Sequence, residues 1–246
     1  MISFALLGPV RARRDGVEFL LGSPQQRTTL AVLLLREGLL TTMDELVDAI
    51  WPDGPPPAAV ATVRTYLSRL RRLFPTNCGV RIDWIGGGYV LTAPPGSIDV
   101  HLFHRHTTRA AEARRDGHTR EAAAELRAAV NLHRGTPLAG AAGGYVEGQR
   151  ARLAELCRGA AFDLVDLTVE LGGYAEAIAD LRAMVAEDPL RERCHLLLMT
   201  ALYRGGRQAD ALAHYRQVRR TLADELGIEP TPELQRLHQR ILQGVS

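Results

Sequence analysis

The sequence predicts a mainly α-helical chain with a small β component, divided near residue 95. Three observations predict it. Strand-like runs are confined to the first part, where they bracket three helical segments bounded by capping residues and prolines. From Asp99 onward the chain is rich in Ala, Leu, Arg and Glu and carries almost no strand signal. A weak repeat runs through that second part: Gly117, Ala122 and Leu126 match Gly172, Ala177 and Leu181, and again Gly206, Ala211 and Tyr215.

Residues 2–21 alternate short apolar runs with the turn dipeptides Gly8-Pro9 and Asp15-Gly16, the pattern of a small antiparallel sheet. A helix follows, with Ser23 as cap, Pro24 at its first position and Gln26 completing a capping box; it stops near Gly38. Thr42 and Glu45 form a second capping box, opening a helix that runs to Trp51-Pro52. PDGPPP is a loop. A third helix spans about Ala58 to Phe74 and is stopped by Pro75. Val80–Ile85 and Tyr89–Thr92 then flank a Gly86-Gly87-Gly88 turn, a β-hairpin. Strands, two helices, an arginine-rich helix and a hairpin, in that order, make a winged helix with an extra N-terminal sheet and the hairpin as wing.

The APPGS stretch, Ala93–Ser97, marks the boundary, giving residues 1–95 and 96–246 as the two domains. In the second, the last two repeat sets lie 34 residues apart, the tetratricopeptide period. Each set places a turn glycine, a small residue where two helices approach, and a core residue. The glycine-rich stretch Gly135–Gly144 interrupts the array. The expected fold is therefore an N-terminal winged helix followed by an all-α, tetratricopeptide-like domain.

The net charge of +2 conceals an asymmetry: residues 1–95 hold ten arginines and eight acids, residues 96–246 twenty of each. Every basic residue is arginine, so a lysine-dependent phosphate loop is excluded, and any phosphate contact must use guanidinium groups. Cys78, Cys157 and Cys194 are widely spaced and odd in number, which suits a reducing cytoplasm and gives no disulfide framework. No run of eighteen apolar residues occurs, so no membrane span is expected.

The basic character is concentrated in VRTYLSRLRRLF, residues 63–74. Val60, Val63, Leu67, Leu70 and Phe74 form one apolar stripe of this helix. Thr62, Thr65, Ser68, Arg69 and Arg72 fall on the opposite face, with Arg64 and Arg71 on its edges. A solvated helix normally mixes acids with its bases, and residues 56–74 contain no acid. Arginines interleaved with short hydroxyls suit close approach to phosphates and base edges.

SPQQRTTLAVLLLREG, DELVDAIWPDGPP, AVATVRTYLSRLRRLF and GGGYVL together resemble the response-regulator type of winged helix. More narrowly, they resemble the Streptomyces antibiotic regulatory protein family. The stretch from ELGGYAEAIADL to LADELGIEPTPEL is similar to that family's bacterial transcriptional activation domain, and the resemblance covers essentially the whole chain. It implies a pathway-specific transcriptional activator of secondary-metabolite biosynthesis in an actinomycete. Such a protein would bind direct repeats in promoter DNA near the −35 element as a head-to-tail pair, a homodimer on DNA. It would recruit RNA polymerase holoenzyme with its sigma factor. Repeats roughly 10–11 base pairs apart would put two protomers on one face of the duplex. Carried over position by position, the resemblance assigns groove contacts to Thr62, Thr65, Ser68, Arg69 and Arg72 and phosphate contacts to Arg64 and Arg71. Where the family's wing often carries a base before its Gly-x-Gly-Tyr turn, this chain has Trp84 and Ile85, and Arg81 is the nearest base. Contact by the wing is thus left either to backbone amides at Gly87 and Gly88 or to Arg81.

No cofactor or metal is expected. His101, His104 and His106 have no Cys, Asp or Glu at a ligand spacing, and Asp44, Glu45 and Asp48 suit a helix N-terminus. No catalytic constellation occurs, so an enzyme is not expected. Trp51 is expected in the core, and Tyr145 against a helix start. Two other readings stand beside the activator: a protein-interaction adaptor using the helical domain, and a repressor using the same DNA contacts. With no receiver domain before the first strand, activity is expected to follow expression level in the cytoplasm, unless a small ligand binds between helices of the second domain.

Overall fold

The computed structural model describes residues 1–244. β1 (Ile2–Ala5), β2 (Arg11–Arg14) and β3 (Val17–Glu18) form an antiparallel sheet in that order. α1 (Pro24–Leu35), the short β4 (Thr41–Thr42), α2 (Met43–Ile50) and α3 (Ala59–Leu73) follow. β5 (Arg81–Ile85) and β6 (Gly88–Thr92) make the hairpin, and β4 joins it in a second antiparallel sheet of order β4-β6-β5. The rest is helical: α4 (Asp99–Arg115), α5 (Thr119–Val130), α6 (Gly144–Glu170), α7 (Tyr174–Glu187), α8 (Glu192–Arg204), α9 (Gln208–Leu226) and α10 (Pro232–Gln243). The chain is mainly α with a small β component, a winged helix followed by a tetratricopeptide-like helical array.

Local chemistry explains the helix starts. The Ser23 hydroxyl accepts the Gln26 N–H at 3.3 Å, and Pro24 occupies the first turn of α1. At α2 the capping box is complete: Thr42 Oγ1 accepts the Glu45 N–H, and the Glu45 carboxylate accepts the Thr42 N–H at 2.7 Å. That N–H, with Arg36 beside it, holds the Glu45 carboxyl below the usual range.

The chain forms two compact units, and they do not divide at 95/96. One comprises Met1–Arg109 with Arg127–Ala160; the other comprises Ala110–Leu126 and the chain from Ala161 onward. The reason lies in residues Leu6–Val10, whose backbone groups find no partner within β1–β3. Leu6 and Leu7 donate to the Asp99 carboxylate at 2.8–2.9 Å. The Leu6 and Leu7 carbonyls accept the N–H groups of Leu138 and Arg134, and Val10 donates to Ala139 at 2.9 Å. The approach is close: a Cβ on Gly8 would lie 2.8 Å from the Arg134 carbonyl oxygen. The core of this unit joins the N-terminal sheet to the end of α3 through Phe74, which meets Phe4 and Phe19 edge-on at 5.5 and 5.9 Å.

In the second unit each repeat set has its expected role. Gly117, Gly172 and Gly206 all have φ between 77° and 83° in the turns before α5, α7 and α9. Ala122, Ala177, Ala211 and Leu181 are fully buried, and Leu126 and Tyr215 are buried in the core. The helical hairpins α7–α8 and α9–α10 pack through Leu181, Met199, Val218 and Ile241.

Candidate nucleic-acid interface

α3 is held from one side. Ala59, Val63, Leu67 and Leu70 are buried, and Phe74 follows at its end. Val60, expected in this stripe, is 41% exposed, and Ala59 takes the inward place at the helix start. A helical pattern allows either residue one turn before Val63, and the neighbouring elements decide which.

The opposite face carries Arg64, Thr65, Ser68, Arg69, Arg71 and Arg72, all exposed, with Thr62 half-buried. The Thr62 and Thr65 hydroxyls donate to the carbonyls of Ala58 and Ala61 at 2.9 Å, so their protons are committed within the helix. Their oxygens keep lone pairs, and their methyl groups remain available for apolar contact.

Five arginines of the first ninety-five residues sit beside carboxylates, whereas Arg27, with its Nε buried, and the exposed arginines of α3 do not. Arg11 and Arg13 lie beside Glu18, Arg14 beside Asp15, Arg36 beside Glu45 and Arg81 beside Asp83, at 2.7–3.6 Å. Arg64, Arg69 and Arg72 have no carboxylate partner among the described residues. Local sequence accounts for the difference, because α3 and the loop before it supply no acid between Asp53 and Asp83. The result is one helix face bearing uncompensated positive charge.

Arg71 stands apart. Its Nε–H donates to the Ile82 carbonyl at 2.7 Å, and its guanidinium lies 5.5 Å from the Tyr89 ring centroid. It braces α3 against the wing.

The wing turns on Gly86 and Gly87, whose φ values of 57° and 93° suit a tight two-residue hairpin. Gly88, expected in the turn, belongs instead to β6 and is buried, paired with both Ile85 and Thr42. Arg81 is opposite Thr92 at the base of the hairpin, about 13 Å along the strand from the turn. Trp84 and Ile85 occupy the tip, 53% and 54% exposed, with Trp84 edge-on to Tyr89 at 4.8 Å. Both lie in the strand that the sequence predicts over Val80–Ile85, where no base precedes the turn; their exposure follows from β5 lying at the sheet edge.

Trp51, expected in the core, and Tyr145 are half-buried. His101, His104 and His106 lie on α4, and no group of three or more His, Cys, Asp or Glu side chains is placed to hold a metal among the described residues. No helix of the described residues is long and apolar enough to cross a membrane.

Comparison with known proteins accords with this architecture. Residues 98–242 match the family described as bacterial transcriptional activator domain. Regulatory protein AfsR of Streptomyces coelicolor is 48% identical over 243 residues, covering 99% of this chain and 24% of that protein. The chain thus spans about a quarter of that relative's length. Regulatory protein DnrI of Streptomyces peucetius is 32% identical over 248 residues, covering 97% of this chain and 91% of that protein. Among solved structures, Mycobacterium tuberculosis EmbR, in complex with a low-affinity phosphopeptide, superposes with a TM-score of 0.90 at 33% identity, covering all of this chain and 66% of that one. With a matching activator domain, a full-length relative in DnrI and a winged helix in front, the chain belongs to the Streptomyces antibiotic regulatory protein family.

Proposed function

We propose that this chain is a sequence-specific DNA-binding activator of transcription for a secondary-metabolite pathway. The reading rests above all on Arg64, Arg69 and Arg72, which share one exposed helix face and lack any carboxylate partner among the described residues. In a winged helix whose Arg11, Arg13, Arg14, Arg36 and Arg81 sit beside acids, such a face is suited to phosphate and base edges. In this reading α3 lies in the major groove. Arg69 and Arg72 read bases with Ser68, and Thr62 and Thr65 offer methyl groups and lone pairs. Arg64 holds a phosphate. Arg71 positions the wing, whose backbone at Gly87 approaches the duplex.

Residues 1–95 would carry the DNA contacts and residues 96–246 the activating surface. Two protomers would bind direct repeats near the −35 element and recruit polymerase holoenzyme through its sigma factor, in the cytoplasm at the nucleoid.

The test is salt-titrated fluorescence anisotropy on duplexes from promoters neighbouring the gene, with a scrambled competitor. Tight, competitor-resistant binding with log K falling steeply against log salt is expected. Equal, weak binding to all duplexes would remove the operator-recognition reading and favour a protein-interaction adaptor. Transcription with purified polymerase then separates activation from repression.

A further inference from the structure

α7, α8 and α9 line a solvent-open cleft of about 540 Å³ in the second unit. That volume lies within the range of sites for small organic ligands. Val185, Leu198, Leu202 and Val218 contribute apolar wall. Two histidines on neighbouring helices supply its polar feature: His195 of α8, 3% exposed, and half-buried His214 of α9.

Their protonation follows from their partners. His195 Nε2 lies 2.8 Å from the Pro189 carbonyl oxygen, which can only accept, so Nε2 carries the proton. Burial lowers the pKa of both rings, that of His214 to about 4, so both are neutral near pH 7. His195 Nδ1 is then a lone pair. His214 Nε2, 2.9 Å away, must be the N–H that donates to it. The tautomer of His214 is thereby fixed, and its Nδ1 is left as a bare acceptor with no protein donor among the described residues.

A second polar group borders the cleft. Arg182 of α7 is exposed and has no salt bridge among the described residues, yet lies near enough for its charge to depress the His214 pKa. Asp210, also on the wall, is engaged by Arg207 at 2.7 Å. The cleft therefore combines an apolar wall, one neutral acceptor and one unpaired guanidinium, with Gln217, Thr221 and the Arg207-paired Asp210 also on its wall.

We infer that this cleft binds a small hydrophobic acid bearing a hydroxyl group, the hydroxyl donating to His214 Nδ1 and the carboxylate pairing with Arg182. The acceptor demands a donor on the ligand, because a group with only lone pairs would face Nδ1 without a proton between them. The guanidinium favours a carboxylate over a neutral polar group. Binding in the cleft does not rest on the DNA contacts proposed for α3.

The test is calorimetric titration of the full chain with three probes: 4-hydroxyphenylacetate, phenylacetate, which lacks the hydroxyl, and 4-hydroxyphenylacetamide, which lacks the charge. The first is expected to bind about tenfold tighter than either other, each polar contact contributing about 1.4 kcal/mol. Arg182→Met should erase the preference for acid over amide and keep that for the hydroxyl; His214→Phe should do the reverse. In ¹⁵N-histidine spectra of the parent protein, the His214 Nδ1 resonance should shift with the hydroxylated probes and not with phenylacetate. If His214→Phe does not fold, Arg182→Met and the Nδ1 resonance decide. Absence of binding at millimolar probe, equal affinity for all three, or preferences unchanged by Arg182→Met would overturn the inference.

Discussion

The Nε–H of Arg71 donates to the carbonyl oxygen of Ile82 at 2.7 Å, fastening α3 to the first strand of the wing. Tyr89 lies under the same guanidinium and Trp84 against Tyr89, so four residues carry the orientation of the helix over to the hairpin. Arg71→Ala is expected to destabilise the first unit by about 1–2 kcal/mol, the range for a charge-assisted bond at a partly exposed site. Arg64→Ala, which removes no internal contact, should leave stability unchanged and lower the salt slope of DNA binding by about one unit. Thermal melts and salt-titrated anisotropy of the two variants, side by side, check both. An Arg71→Ala protein that melts like the parent would show that the brace carries no stability.

Arg69 sits mid-helix on the exposed face, flanked by Ser68 and free of acids. If it reads a base, Arg69→Ala should cost about 1–3 kcal/mol on the cognate duplex and little on a scrambled one. A substitution scan of the operator should show relaxed preference at one base pair only. Loss spread evenly over all sequences would place Arg69 on a phosphate instead.

Much of this arrangement was legible because it is local. The capping box of Thr42 and Glu45, the apolar spacing of α3 from Val63 onward and the turn glycines at 117, 172 and 206 act within a few residues and appear as the sequence predicts, whereas Ala59 takes the inward place expected for Val60. What was missed depends on partners far along the chain. β4 is two residues long and is a strand only because Thr41 and Thr42 pair with Tyr89 and Gly88. The same pairing moves Gly88 out of the turn. The compact units depart from the 95/96 divide because Leu6–Val10 bond to residues more than ninety positions away. His195 and His214 belong to no motif; two helices crossing in a particular register bring their rings together.

Gly88 and Gly87 differ in what an added methyl group meets. At Gly88 a Cβ would lie 2.7 Å from the Thr41 carbonyl oxygen and 3.0 Å from Leu40, forcing β4 away from β6. At Gly87 the surrounding space is open, but φ of 93° is unfavourable to any side chain. Gly88→Ala should therefore cost about 1–3 kcal/mol by overpacking. Gly87→Ala should cost about 1–2 kcal/mol through backbone strain alone. Amide exchange separates them: Gly88→Ala should expose the N–H groups of β4, whereas Gly87→Ala should leave them protected and loosen only the hairpin tip.

Asp99 offers a prediction with a definite sign. Its carboxylate, at the start of α4, accepts the N–H groups of Leu6 and Leu7, and burial raises its pKa from 3.8 to about 6 against the pull of those donors. A carboxyl whose folded pKa is raised favours the folded state when protonated. Its contribution is complete below about pH 4 and is lost as the pH climbs through about 6, with a total on the order of 3 kcal/mol. Asp99→Asn does not titrate: one amide oxygen in the place of Oδ2 can accept both N–H groups, while the NH2 in the place of Oδ1 faces the Leu6 N–H and adds a pH-independent offset. The stability of the parent relative to Asp99→Asn should therefore fall between pH 4 and pH 7 and be level outside that window. The protection of the Leu6 and Leu7 amides against hydrogen exchange, corrected for intrinsic rates, reads this locally without assuming that both units unfold together. A difference between the two proteins that stays constant across that window would mean that the Leu6 and Leu7 amides outweigh burial and keep Asp99 ionised throughout.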